Sequence, residues 1–125
     1  MSKSIENDLL KNFVEIKGVK VIYSVTENMD ANILRELADR LRNKIESGLV
    51  VLGSECNDKV MFIAMATKDV ISLGVHCGKI IKEVATIAGG GGGGRPDMAQ
   101  AGGKFKDKLQ ESINEVPKIV EGMVK

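Results

Sequence analysis

The chain has 125 residues, of which 43% are hydrophobic and 28% charged, and its formal net charge is +1. This composition is typical of a single globular domain with a buried core, and it argues against a disordered chain or a membrane span. A net charge near zero gives the molecule no general attraction to nucleic acid, so any basic footprint has to be local.

The first part of the chain predicts a helix, a strand, a second helix and a hairpin, in that order. Apolar residues four apart predict a short helix over residues 4–14. Alternation over residues 19–25 predicts a strand, and residues 30–46 predict a helix capped by the aspartate that begins them. Residues 49–52 and 60–66, joined by a polar turn, predict a β-hairpin whose strands are largely buried.

The order strand, helix, strand, strand predicts a crossover to a parallel second strand, followed by antiparallel pairing in the hairpin. The predicted fold class is therefore α/β, a mixed β-sheet with packed helices in a single domain. We expect one core. The residues expected to pack in it are Val21, Leu37, Leu41, Val51, Ile63, Val84 and Ile113.

The second part of the chain predicts a connector with one helical turn over residues 69–74 and a helix over residues 77–88. The glycine-rich residues that follow are predicted to form a loop. A last helix is expected after them, with Asp107 as its cap, and Pro117 is expected to kink or divide it.

That glycine-rich segment, residues 89–103, reads GGGGGGRPDMAQAGG and holds eight of the fourteen glycines. Ordering six consecutive glycines is costly, so a folded domain uses such a run where torsion angles are unusual or where another group approaches closely. The N–H groups of a glycine loop can converge on an anion, and Arg95 adds a bidentate donor. A flexible linker is the alternative. The common nucleotide motifs do not fit, because a helix precedes the run and Arg95-Pro96 follows it instead of Lys-Ser/Thr.

Positive charge is concentrated around this segment, where residues 78–108 hold six basic and three acidic residues. The basic residues are Lys79, Lys82, Arg95, Lys104, Lys106 and Lys108. Ordinary surface lysine would explain the excess alone, but beside the glycine run a local anion-binding surface explains it better. The predicted second helix, by contrast, balances its charges in pairs, Glu36 with Arg40 and Arg42 with Glu46, as on a solvated face.

The side chains offer little for catalysis or metal binding. His76 is the only histidine, and its neighbour Cys77 is badly placed to be a nucleophile that it activates. A metal site from these two residues and Cys56 lacks a fourth ligand. Asp97 is expected to orient Arg95 rather than to act as a base. We therefore predict no catalytic residue and no metal site, and the isolated cysteines without a signal stretch favour a cytoplasmic protein.

The segment GGGGGGRPDMAQAGGK resembles the signature near the end of alanyl-tRNA synthetases, in their C-terminal DHH-associated domain. The resemblance extends upstream to VKVIYSV, to DRLR at residues 39–42, to LVVLGS and to KIIKEVATIAG. It implies that residues 18–125 form this globular domain and that residues 1–17 are the end of a helical segment. Many members of the family carry a basic residue inside the glycine run, where this chain has Gly91.

In this family, an ATP-dependent domain attaches alanine to its tRNA and a zinc-containing domain clears mischarged tRNA. The resemblance implies that this fragment contains neither domain, uses no cofactor and has no catalysis of its own. It implies a module that binds the outer corner of tRNA(Ala), works beside the other synthetase domains and can form a homodimer. No membrane partner is expected.

The resemblance also implies which residues bind nucleic acid. They are Gly89, Gly90, Gly91, Gly92, Gly93, Gly94, Arg95, Asp97, Gln100, Gly102 and Gly103. The local charge adds Lys79, Lys82 and Lys104 to this predicted site. Two alternatives stay open: a nucleic-acid- or phosphate-binding accessory domain of a DHH-type phosphoesterase, and a module that only dimerises.

Overall fold

The computed structural model describes residues 3–124, with side chains from residue 6 onward. The helices are α1 (Lys3–Lys11), α2 (Ala31–Ile45), α3 (Lys68–Ser72), α4 (Cys77–Ile87), α5 (Leu109–Asn114) and α6 (Val116–Met123), with a 3-10 turn at Lys106–Lys108. The strands are β1 (Val14–Ile16), β2 (Val19–Glu27), β3 (Leu49–Cys56), β4 (Lys59–Ala66), β5 (Gly91–Gly94) and β6 (Met98–Gly103). No helix in this described range is long and apolar enough to cross a lipid bilayer.

The six strands form one mixed sheet in the order β1-β2-β3-β4-β6-β5. Strands β2 and β3, which are joined through α2, run parallel. Every other neighbouring pair is antiparallel. The predicted mixed α/β sheet is therefore confirmed, and it carries three more strands than the sequence indicated, β6 and β5 on one side and β1 on the other.

Turn and cap residues explain where the central elements begin and end. The Asp30 carboxylate accepts a hydrogen bond from the Ile33 N–H at 2.9 Å, which confirms the predicted cap of α2. Between β3 and β4, Asn57 and Asp58 have φ of 54° and 63°, the positive values that a two-residue type I′ turn requires. The hairpin strands are consequently longer than predicted, and Gly53 of the expected polar turn is a buried strand residue.

The N-terminal helix is shorter than predicted. It ends at Lys11, and Val14 begins a short strand that pairs with Val21 of β2. The intervening Lys17 and Gly18 have φ of 50° and 84°, so the chain reverses there. The domain limits at residues 1 and 125 lie outside the described residues, and the division at residue 17 stays a prediction.

The sheet separates two apolar cores, so the prediction of one core is wrong. All seven predicted core residues are buried. On the side covered by α4, α5 and α6 lie Val21, Val51, Val84 and Ile113. On the side covered by α2 lie Leu37, Leu41 and Ile63. The reason is the alternation of side chains along a strand, which sends neighbouring residues to opposite faces of the sheet.

The last helical region is divided, as the position of Pro117 predicted. Helix α5 ends at Asn114, and Pro117 lies in the first turn of α6, where its missing N–H leaves no hydrogen bond unmade. The predicted cap at Asp107 is wrong. That residue belongs to the 3-10 turn, and α5 starts after Lys108 without a side-chain cap.

Candidate nucleic-acid interface

The glycine-rich segment is a β-hairpin at the edge of the sheet, which corrects the predicted loop. Strand β6 pairs with β4, and the glycine strand β5 is the edge strand. At the tip, the Arg95 N–H donates to the Met98 carbonyl at 3.0 Å, so Pro96 and Asp97 form a two-residue turn. The backbone of the turn is also tied to the end of β4, because the Ala66 N–H donates to the Asp97 carbonyl at 3.0 Å.

Helix α4 holds the hairpin from its inner side. The N–H groups of Cys77 and Gly78 donate to the carbonyls of Pro96 and Arg95 at 3.0 and 3.2 Å. His76 caps the same helix, since its Nδ1 accepts from the Lys79 N–H. The first turn of α4 therefore directs its N–H groups at the protein's own turn, and it is not free to receive an anion.

The glycines of the run alternate between packed and open positions. A methyl group on Gly90 would lie 1.9 Å from the Gly102 carbonyl oxygen, and one on Gly92 would lie 2.4 Å from the Ala101 Cβ. A methyl on Gly91, by contrast, would meet no atom within 4 Å. Close approach of the protein's own backbone is thus the main reason for the glycine run, and a flexible linker is excluded.

One face of the hairpin is open. Ala99 and Ala101 pack into the core beneath α4, so the side chains of β6 that alternate with them point to the other face. Gln100 on that face is exposed, and its cross-strand partner is Gly93. Because the neighbouring pair is Gly91 with Gly102, the open face is almost bare backbone.

Arg95 stands at the tip of this hairpin with most of its side chain in solvent. Its Nε lies 3.4 Å from the Asp97 Oδ1, and the two side chains are 70% and 52% exposed. An ion pair this exposed contributes little to stability. The predicted orienting role of Asp97 is geometrically possible, and Arg95 remains accessible to a ligand.

A groove of about 540 Å³ runs from the hairpin tip to α2. It is lined by Asn32, Arg35, Glu36, Asp39, Arg42, Met65, Arg95, Asp97 and Met98. Arg35 and Arg42 were not predicted as site residues. Arg42 was expected to pair with Glu46, but it pairs instead with Asp39. The sequence feature that could have identified them is their spacing of two helical turns, which places both arginines on the same side of α2.

The predicted lysines do not share one surface. Lys79 and Lys82 line a separate groove between α4 and α6, of about 750 Å³, together with apolar residues such as Ile119. Lys104 is exposed and follows directly on β6, at the opposite end of the hairpin from Arg95. The structure therefore divides the predicted basic surface into three parts.

The neighbouring Cys77 and His76 are unsuited to nucleophilic chemistry. Burial raises the pKa of the Cys77 thiol to about 12, so the thiolate form is strongly disfavoured near neutral pH. His76 already uses its Nδ1 to cap α4. Among residues 3–124, no group of three histidine, cysteine or acidic side chains is arranged to hold a metal ion.

Comparison with known proteins agrees with this architecture. The family model of the DHHA1 domain matches residues 18–122. The chain belongs to the DHHA1 domain family. The match covers the sheet from β2 onward and includes the whole glycine hairpin.

Similar curated proteins include alanine–tRNA ligases. This DHHA1 domain is 52% identical over 118 residues to the alanine–tRNA ligase of Natranaerobius thermophilus, covering 94% of this chain and 13% of the ligase. It is 50% identical over 120 residues to that of Alkaliphilus oremlandii, covering 96% of this chain and 14% of the ligase. The chain thus spans only a small part of the curated relatives that it matches.

A solved structure matches the chain along nearly its whole length. The C-Ala domain from Aquifex aeolicus alanyl-tRNA synthetase superposes with a TM-score of 0.79 at 33% identity, covering 89% of this chain and 99% of that domain. The resemblance to the DHH-associated domain of alanyl-tRNA synthetases is confirmed. This DHHA1 domain corresponds to the C-Ala module of those enzymes.

Proposed function

We propose that this DHHA1 domain is a tRNA-binding module of an alanyl-tRNA synthetase and that it holds the outer corner of tRNA(Ala). In this proposal the fragment catalyses nothing and uses no cofactor. The other synthetase domains, with ATP and the editing zinc, act on the tRNA that it holds. The observation that supports the proposal best is the open face of the glycine hairpin, with Arg95 at its tip.

A bare backbone suits a bulky polyanion. Side chains at Gly91 and Gly102 would stand between a phosphate chain and the strand, and glycine removes them. Since the contact of Arg95 with Asp97 is long and exposed, a phosphate can compete for the guanidinium at little cost. Arg35 on the same groove provides a second guanidinium group for a neighbouring phosphate, whereas Arg42 is already paired with Asp39.

Binding of this kind depends on charge more than on sequence. Phosphate contacts release counterions, so affinity falls steeply with salt and discriminates weakly between RNA sequences. The net charge of +1 adds no general attraction, so a few local cations should account for most of the salt dependence. Each cation removed should then reduce the salt slope by about one.

The test replaces Arg95 by alanine and titrates the chain with tRNA(Ala) over a salt series. We expect binding weaker by about 1–3 kcal/mol, the value of a charge-assisted hydrogen bond, and a salt slope lower by about one. Lys11→Ala is the matched control, because it removes one positive charge from α1, which packs on α2 and β2 away from the hairpin. Unchanged affinity of Arg95→Ala beside a large loss of thermal stability would contradict the proposal, since Arg95 would then only fix the turn.

We also propose that the protein is cytoplasmic and that it can form a homodimer. The buried Cys77 thiol and the partly exposed Cys56 thiol are both free, as is usual in a reducing compartment. Strand β5 is the edge of the sheet, and an edge strand leaves backbone groups available for pairing with another chain. Sedimentation of the purified chain over a concentration series tests the dimer.

A further inference from the structure

An exposed phenylalanine lies at the end of the hairpin opposite Arg95. Phe105 is 51% exposed, more than any other large hydrophobic side chain in the described residues. Its position is nevertheless well defined, because the N–H groups of Lys104 and Phe105 both donate to the Ala88 carbonyl, at 2.8 and 2.9 Å. These two hydrogen bonds anchor the segment after β6 to the end of α4.

The ring of Phe105 rests on the backbone of Gly89. A methyl group on Gly89 would come within 2.3 Å of the ring Cε2 and 2.5 Å of the Cδ2. Gly89 has a φ of 77° as well, so glycine is required at this position for two reasons. The ring is thus supported by glycine on one side, and about half of the side chain remains open to solvent.

Lysines precede and follow Phe105 in the sequence, at positions 104, 106 and 108. Lys106 is held by Asp58 at 2.8 Å, and Lys108 lies 3.7 Å from Glu111. Within residues 3–124, Lys104 has no acidic side chain at salt-bridge distance. A supported aromatic face beside a free cation is the combination that binds single-stranded nucleic acid, since the ring stacks on a base and the cation pairs with its phosphate.

We propose that Phe105 stacks on an unpaired base of the bound RNA and that Lys104 contacts an adjacent phosphate. This inference rests on the proposed function and assigns a loop nucleotide to the end of the hairpin opposite Arg95. Strand residues rise about 3.3 Å each, so the two ends of the hairpin are separated by roughly 15–20 Å. One RNA segment can therefore touch Arg95 with its backbone and Phe105 with a splayed base.

A single tryptophan reports the stacking directly, because the chain contains no tryptophan. We expect the fluorescence of Phe105→Trp to be quenched by a tRNA(Ala) transcript and by single-stranded oligouridylate, and to change little with a blunt-ended RNA duplex. Phe13→Trp is the matched control. Phe13 is also exposed, at 38%, and lies beside Lys20, whose Nζ is 5.3 Å from the ring centroid, but it precedes β1 at the other edge of the sheet.

The tRNA affinities of Phe105 variants distinguish a stacking contact from a charge contact. Phe105→Leu keeps an apolar side chain over Gly89 and should weaken tRNA binding about tenfold with an unchanged salt slope, whereas Phe105→Tyr should bind normally. Three results would overturn the stacking proposal. One is an unchanged tRNA affinity of Phe105→Leu, and another is a loss of affinity of this variant for the RNA duplex as large as its loss for tRNA. The third is equal fluorescence quenching in Phe105→Trp and Phe13→Trp. If the wild-type chain binds no tRNA, the proposed function itself fails, and the stacking proposal fails with it.

Discussion

At the scale of single residues, the glycine run is explained by packing and not by flexibility. Alternate glycines of β5 contact their own partner strand so closely that no side chain fits, as at Gly92 beside Ala101. Between them, Gly91 faces open space. Adjacent positions of one glycine run therefore differ in whether they can accept a side chain.

This difference predicts opposite outcomes for two neighbouring substitutions. Gly92→Ala should destabilise the domain by about 1–3 kcal/mol, because its methyl would overlap the Ala101 side chain and backbone. Gly91→Ala should be neutral or slightly stabilising, because it only restricts the unfolded chain. Chemical denaturation of both variants provides the measurement. Equal losses in the two variants would show that the backbone and not the packing requires glycine.

At the scale of secondary-structure elements, one acidic residue joins α1 to α2. The buried Glu6 carboxylate accepts from the Arg40 Nε at 2.6 Å and also forms an ion pair with Lys44. The predicted pairing of Arg40 with Glu36 is therefore replaced by a contact between helices. Lys44, followed by Arg40, lowers the pKa of the Glu6 carboxyl below its ordinary value of 4.5.

The direction of that shift predicts how acid affects α1. A carboxyl with a lowered pKa in the folded state stabilises the fold above its ordinary pKa, and the stabilisation is lost as pH falls from about 4.5 toward the lowered pKa. Glu6→Gln should accordingly be less stable than wild type at pH 7, and the difference should shrink in acid. Thermal melts across pH measure this, with Asp8→Asn on the exposed side of α1 as the control. A difference in melting temperature between Glu6→Gln and wild type that persists below pH 3 would contradict the ion-pair explanation.

At the scale of the whole molecule, the sheet carries helices on both sides and holds the hairpin at one edge. The layer of α4, α5 and α6 packs on one face, and α2 packs on the other. Cys77 lies at the join between α4 and the hairpin, where it is completely buried and its N–H donates to the Pro96 carbonyl. Access to its thiol requires that the hairpin separate from the helix.

Thiol reactivity should therefore report this global packing. In a Cys56→Ser variant, Cys77 should remain unreactive toward a disulfide reagent at pH 8, because burial excludes the reagent and raises the pKa of the thiol to about 12. It should react only as the chain unfolds, so the denaturant midpoint of labelling should equal the midpoint of unfolding followed by circular dichroism. In a Cys77→Ser variant, the partly exposed Cys56 should react without denaturant. Rapid labelling of Cys77 in the native state would mean that the hairpin opens independently of the fold.

The sequence by itself determined the features that depend on near neighbours. Residues a few positions apart determine the Asp30 cap of α2, the division at Pro117, the existence of strand β2 and the buried hairpin. The resemblance carried by the segment after the glycine run determined the family. These features were predictable because caps, turns and periodicity are local properties of the chain.

Only the tertiary structure decided the rest. A strand made of glycine has no side-chain pattern, so β5 becomes recognisable only through its pairing with β6, and β6 through its pairing with β4 far earlier in the chain. Contacts between distant segments also create three other features. These are the two cores, the groove that joins Arg35 and Arg42 to Arg95, and the packing of Phe105 on Gly89. Local propensity cannot encode such contacts, because they form only when the sheet brings those segments together.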